Sequence, residues 1–581
     1  MRQVFVSPRY FSAADILIFL LLGACIYGII AIGAQWQADY HPVTEIDLSI
    51  GALPRYALFS AMRGLVAYIL SLAFTLVVGY SAAKSKKAER IIIPLIDILQ
   101  SIPVLGFLPG LVLGLIALFP KTNLGLELAA IIMIFTGQVW NMTFSFYSSL
   151  KSLPSDYSEA SKIMGLTWWQ KFWRLEMPFS SVNLVWNSLM SMAGGWFFLS
   201  VSEAFTLGER EYRIPGVGAY MAVAISKSDT GAMLNGIIAM VCIIFVLDTF
   251  IWHPILSWVR RFRLEDVPGI APEEPLMTLA IRESRFIRLV KVFYRRYLVR
   301  KRTRTELPEK SIPLPRMIGL TTRETRKIWN SSVKYVEPIL WVVAIGIVGA
   351  GFMRLVNILL NVDGETWIYL LSATGFTFLR VVGALALSSL WAVPVGIWIG
   401  LSAKRIAVAQ PIIQIFASFP APMLYPLALA IFISLGMSLD WSSMFLMMLG
   451  VQWYVLFNVL AGALKISQEL GDSLNLMKNS HWDRWTTLYL PSVFPSLVTG
   501  WVTAAGGAWN ASIVAEYISY QGKTLAAKGL GAAISTAAGK PDFNLLAASL
   551  TLMIIVVLAL NQTLWDKLYK LAQSRYRMDA L

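Results

Sequence analysis

Only two cysteines occur in 581 residues, Cys25 and Cys242, and both lie inside apolar runs, which excludes a disulfide framework or a thiolate metal site. The three histidines, His41, His253 and His481, are too scattered to form a ligand cluster. Charge is scarce as well: 14% of residues are charged, 57% are hydrophobic, and the mean hydropathy is +0.63. That balance excludes a soluble globular chain and points to a polytopic membrane protein. Acidic residues number 34 against 49 Lys and Arg, leaving a net charge of +15. Nucleic acid is not the implied partner. The excess gathers in the stretch from Arg260 to Lys334 and in short loops between apolar runs, the positive-inside pattern of a chain embedded in lipid. The runs are about 20 residues long and do not alternate, which fits spanning helices and not barrel strands.

Residues 1–14 carry Arg2 and Arg9 ahead of an apolar run at 16–32. A cleaved signal has this form, but the counterpart run at 339–360 lies mid-chain, so both are expected to be retained spans. Further spans are expected near 56–83, 91–118, 128–150, 181–207 and 233–259. A second set is expected near 338–360, 369–399, 408–435, 442–463, 494–518 and 544–565. The fold class is therefore all-α, with twelve spans in two halves, 1–259 and 338–581, and both termini cytoplasmic. The linker 260–337 is basic and rich in helix breakers. Within it, 279–299 reads either as an amphipathic helix on the inner membrane surface or as a solvated spacer.

The halves repeat one another. Adding 317 carries Arg63 to Arg380, Gly79 to Gly396, Pro94 to Pro411, Ser101 and Pro103 to Ser418 and Pro420, and Pro109 to Pro426. Beyond the loop after the third span the offset becomes 313. It carries Pro178 to Pro491, Gly194 to Gly507, Trp196 to Trp509, Glu203 to Glu516, Gly216 to Gly529 and Asp229 to Asp542. An even number of spans per half makes the repeat parallel, with a pseudo-twofold axis along the membrane normal.

Between the fourth and fifth spans of each half lies a polar, basic excursion, 151–178 and 464–491. The first contains EASKIMGLTWWQKFWRLEMP, with Glu159, Ala160, Gly165 and Pro178 at set intervals. The second has Asp472, Ser473, Lys478 and Pro491 at those positions. A glycine between two short helices permits a positive φ, and the closing proline suits the first turn of the next helix. Lysine at the glycine position predicts that the second excursion turns differently.

These stretches, with SIPVLGFLP at 101–109 and the Gly-rich fifth span ending in Glu203, resemble the permeases of binding-protein-dependent ABC importers, in particular the nitrate/sulfonate/taurine type. The resemblance covers most of each half and leaves out the linker. It implies two fused six-helix type I permease halves in a bacterial inner membrane, moving a small anion inward. It also implies two cytosolic ATP-binding subunits, docked through the excursions as coupling loops, and a periplasmic or extracellular substrate-binding protein. This chain would hold no cofactor of its own, ATP and Mg belonging to the partner. The one phosphate-loop fragment, Gly522-Lys523-Thr524, has Tyr517 where the leading glycine belongs. The rival reading is an ion-coupled secondary transporter, which would leave the coupling loops unexplained.

Four charges fall within the expected spans: Arg63 and Arg380, Glu203 and Glu516. Ionisable groups at such depth are costly and face protein or water. They read either as an Arg–Glu pair fixing span two to span five in each half, or as arginines presenting positive potential to an anion. Gly194 and Gly507 are expected to line the pathway, and Trp196 and Trp509 beside them are read as a gate or as packing anchors.

Overall fold

The structure, a computed structural model, describes residues 13–207, 210–262, 346, 349–464, 466, 480–520, 523–540 and 542–575. The chain groups into two compact units, Met1–Leu20 with Leu279–Gly364, and Leu21–Thr278 with Glu365–Leu581. In the first, the described residues 13–20 and 349–360 are helical. The linker segment 279–299 lies outside the described residues.

Nine described helices are long and apolar enough to cross a bilayer, or eleven when each of two bent pairs is counted as one span. Of the expected span at 338–360, Gly346 and residues 349–360 are described. Helices satisfy their own backbone groups, which is why apolar chain in lipid adopts them.

The repeat is written into the elements. Offsets of 317 and 313 carry Lys86–Ser101 onto Ala403–Ser418, and Val104–Phe107 onto Ala421–Leu424. They likewise carry Met177–Ser202 onto Leu490–Ala515, Val217–Ser226 onto Leu530–Gly539, and Thr230–Leu247 onto Phe543–Leu560. Wide, five-residue turns recur too: Phe172–Glu176 matches Trp485–Tyr489, and Asp248–Trp252 matches Asn561–Trp565. Such π-turns inside helices tend to mark functional positions.

Two features add detail to the expected spans. The third span of each half is not one straight helix. Lys86–Gln100 and Val104–Leu118 meet at 82°, and Lys404–Ser418 and Ala421–Ser434 at 79°. The cause is local: Ile102 and Phe419 each precede a proline, which forces them out of the helical region, with ψ of 124° and 131°. The chain is also not wholly helical. After the fifth span of each half comes a short antiparallel hairpin, β1 (Ala204–Leu207) with β2 (Arg210–Arg213), and β3 (Tyr517–Tyr520) with β4 (Lys523–Ala526). The fragment residues Lys523 and Thr524 sit in β4, a strand rather than a phosphate-cradling loop.

The apolar core of the first half gathers Ile134, Trp196, Leu199, Tyr220 and Met240 from four helices. Val217–Ser226, too short to span, is buried against this core along most of its length. Its counterpart Leu530–Gly539 is buried likewise.

Candidate functional site

Arg63 lies in the helix Leu53–Phe74 with no solvent exposure, and each of its guanidinium nitrogens is engaged. Nε and Nη2 grip Glu127 in a bidentate fork at 2.6 and 2.7 Å, while Nη1 donates to Glu203 at 2.7 Å and to the Pro215 carbonyl at 2.8 Å. Ser60 Oγ donates to Glu203 at 2.6 Å and accepts from the Val217 N–H at 2.9 Å. The other oxygen of Glu203 accepts from the Gly218 N–H at 2.7 Å, at the positive end of a short helix. Spans two, four and five and the helix after β2 are thereby fixed to one another. Gly216 is required here for space: a side chain would collide with the Glu203 carboxylate.

The second half repeats the arrangement with one shorter acid. Arg380 Nη1 donates to Glu516 at 2.8 Å and to Lys528 O at 3.0 Å, and Nη2 to Asp440 at 2.6 Å. Thr377 takes the part of Ser60 at 2.8 Å from Glu516, and Gly531 N–H that of Gly218 at 2.9 Å. Gly529 leaves room for Glu516 as Gly216 does for Glu203. Asp440 is 56% exposed, so this cluster is wetter than the first. Glu127 and Asp440 fall outside the sequence reading because both stand just ahead of the expected fourth spans. The signal was present, since the offset of 313 relates one to the other.

A cavity of about 220 Å³ opens between the two halves. The repeat relates many of its walls: Gly137 to Gly450, Trp140 to Trp453, Gly194 to Gly507. None of the described residues lining it is charged. Arg63 and Arg380 take no part in it, their nitrogens being turned to carboxylates and carbonyls. Gly194 and Gly507 do line it. Trp196 and Trp509 do not: each is 3% exposed, and Trp196 packs against Gly64, an arrangement that fits the packing alternative. Two residues along a helix turn about 200°, so a tryptophan two places past a cavity-facing glycine points to the opposite side.

The first excursion, residues 151–178, forms an elbow. Helix Ser155–Ile163 ends at Gly165, with φ of +63°. The Gly165 and Leu166 N–H groups bond back to the Lys162 and Ser161 carbonyls at 3.0 and 3.1 Å, a left-handed helix cap. Thr167 and Gln170 then cap the next helix, Trp168–Lys171, reciprocally. The elbow turns apolar groups outward: Ile163 is 87% exposed and Met164 75%, with Trp168, Trp169 and Trp173 also exposed. Glu159 is exposed and Ala160 half-buried. Pro178 and Pro491 each stand in the first turn of a fifth span. Asp472, Ser473 and Lys478 lie outside the described residues.

A duplicated bundle of apolar helices, a shared cavity between its halves and an elbow carrying outward apolar residues define a two-lobed membrane permease. The chain matches the family described as "Binding-protein-dependent transport system inner membrane component" over residues 75–252 and again over 392–578, and it belongs to that family. It is similar to the nitrate import permease protein of Leptolyngbya laminosa, 25% identical over 24% of this chain and 49% of that protein. It is also similar to the taurine transport system permease protein of Escherichia coli K12, 26% identical over 34% of this chain and 67% of that protein. A third relative is a glycine betaine transport system permease protein of Bacillus subtilis 168, 22% identical over 32% of this chain and 60% of that protein. The match thus spans about half of the nitrate permease.

Proposed function

We propose that this chain is the translocation component of an ATP-driven importer, two permease halves in one polypeptide, carrying a small anion across the plasma membrane. The observation that carries the anion is the chemistry of the cavity wall. Among the described residues it holds no carboxylate, the buried indole N–H of Trp140 has no acceptor, and the Tyr454 hydroxyl makes no hydrogen bond. Neutral donors without acceptors suit a solute rich in acceptor oxygens. They also bind it weakly enough to release it, as conduction requires.

The energy source is proposed to be a pair of cytosolic ATPase subunits, which hold the ATP and Mg and receive the two coupling segments, with termini and linker on the same side. The apolar residues of the first elbow are the contact surface in this reading. A binding protein on the opposite face delivers the solute. Uptake by the assembled importer of labelled nitrate, bicarbonate, taurine and glycine betaine tests the substrate class. Uptake of nitrate or bicarbonate is expected, and transport confined to the zwitterions taurine and glycine betaine would overturn the anion.

A further inference from the structure

The glycines that line the cavity have a particular neighbour. A methyl group placed on Gly194 would stand 3.6 Å from the Tyr454 hydroxyl oxygen, and one placed on Gly507 would stand 3.5 Å from Tyr454 Cε2. Gly194 and Gly507 are repeat mates on the fifth spans of opposite halves. A side chain in contact with both lies on the pseudo-twofold axis. The repeat mate of Tyr454 is Asn141, a shorter side chain that also lines the cavity. The nearest heavy atoms to either glycine come from Tyr454, Gly137 and Val451, not from Asn141. Two tyrosines related by the axis would claim the same volume, so only one of the two positions can hold one. A fused chain can encode that inequality, whereas two copies of one polypeptide cannot.

We propose that Tyr454 is a one-sided plug and solute-binding group of the pathway. Its phenol fills the space between Gly194 and Gly507, and when the halves part its hydroxyl donates a hydrogen bond to an acceptor oxygen of the passing anion. This rests on the reading of the cavity as the pathway. Both glycines thus present their open faces within van der Waals range of the same ring.

The test uses the full chain reconstituted in liposomes loaded with potassium nitrate, with valinomycin present so that nitrate leak is read directly. Tyr454→Asn, which makes both halves alike, is expected to raise the leak severalfold. Tyr454→Phe keeps the ring and is expected to stay as tight as the parent chain. Asn141→Tyr added to Tyr454→Asn moves the plug to the other half and is expected to restore tightness, which mere structural damage would not do. A folded Tyr454→Asn chain with no added leak, or a leak that Asn141→Tyr leaves unchanged, overturns the plug. Thr503→Trp, which adds bulk to the cavity wall, separates this from the underlying reading. If it fails to close the Tyr454→Asn leak, nitrate does not pass through the cavity and the pathway assignment falls instead. In the assembled importer, Tyr454→Phe is expected to slow nitrate uptake by about tenfold, the range for losing a hydrogen bond to a charged partner. Unchanged uptake overturns the hydroxyl's role.

Discussion

Lys84 Nζ stands 2.6 Å from Oε1 of Glu176, a carboxylate that is almost completely buried. The other oxygen of Glu176 accepts from the Tyr80 hydroxyl at 3.1 Å, and that hydroxyl accepts in turn from the Trp168 indole at 2.8 Å. Lys171, in the same short helix as Trp168, donates to Ser158 in the first coupling helix at 2.7 Å. The end of span two is thus tied to the elbow through one buried acid. In the second half the positions of Tyr80, Lys84 and Glu176 hold Ile397, Leu401 and Tyr489, so the tie has no counterpart. Glu176→Gln is expected to loosen the first elbow, with hydrogen exchange across Ser155–Ile163 accelerating by about tenfold for a lost charged hydrogen bond. Tyr489→Phe should leave exchange in its own half unchanged.

The two arginine clusters differ in exposure, and their variants should differ in cost. Arg63→Gln strands two carboxylates in a dry site and should cost about 3–5 kcal/mol or more. Arg380→Gln should cost less, because Asp440 can turn to water. Thermal unfolding of the purified chain in detergent reads the order directly. Removing Arg63 together with Glu203 should be milder than the sum of the two single changes.

Glycine substitutions should sort by the space around them. Gly216→Ala and Gly529→Ala drive a methyl group into the carboxylates of Glu203 and Glu516 and should lower the melting temperature markedly. Gly506→Ala, with no heavy atom within 4 Å of the added carbon, should be tolerated. Equal shifts at all three sites would show that these glycines are not held by packing.

At the elbow, Gly165 occupies the left-handed region, where a residue with a side chain costs about 1–2 kcal/mol. Gly165→Lys should reduce transport-coupled ATPase activity in the assembled importer. Lys478→Gly should have little effect, because a lysine at this position predicts a turn that needs no positive φ. Equal small effects at both positions would mean that the two segments transmit alike.

Much of this was legible in the sequence because the repeat imposes two offsets, and matched Pro, Gly, Arg and Glu are visible without coordinates. Arg63 with Glu203 and Arg380 with Glu516 follow from equal depth in the spans. Glu127 and Asp440 were missed because each stands in a helix's first turn, where hydropathy ends a span too early. The bends at Ile102 and Phe419 are written in the residues that follow them, Pro103 and Pro420, and the length of an apolar run does not reveal them. Between gate and packing anchor the sequence could not choose for Trp196 and Trp509, because adjacency in sequence to a cavity-lining glycine is not adjacency in space. Tyr454 carried no signal of its own; only the contact with both Gly194 and Gly507 singles it out.

The account's central claim is that uptake through this chain is driven by ATP. The direct measurement is uptake of labelled nitrate, taurine or bicarbonate into proteoliposomes holding the chain with its ATPase subunits and binding protein, after ionophores have collapsed the proton and sodium gradients. Uptake that requires internal ATP and persists without the gradients is predicted. Uptake that ignores ATP and stops when the gradients collapse would contradict the account and mark the chain as an ion-coupled carrier.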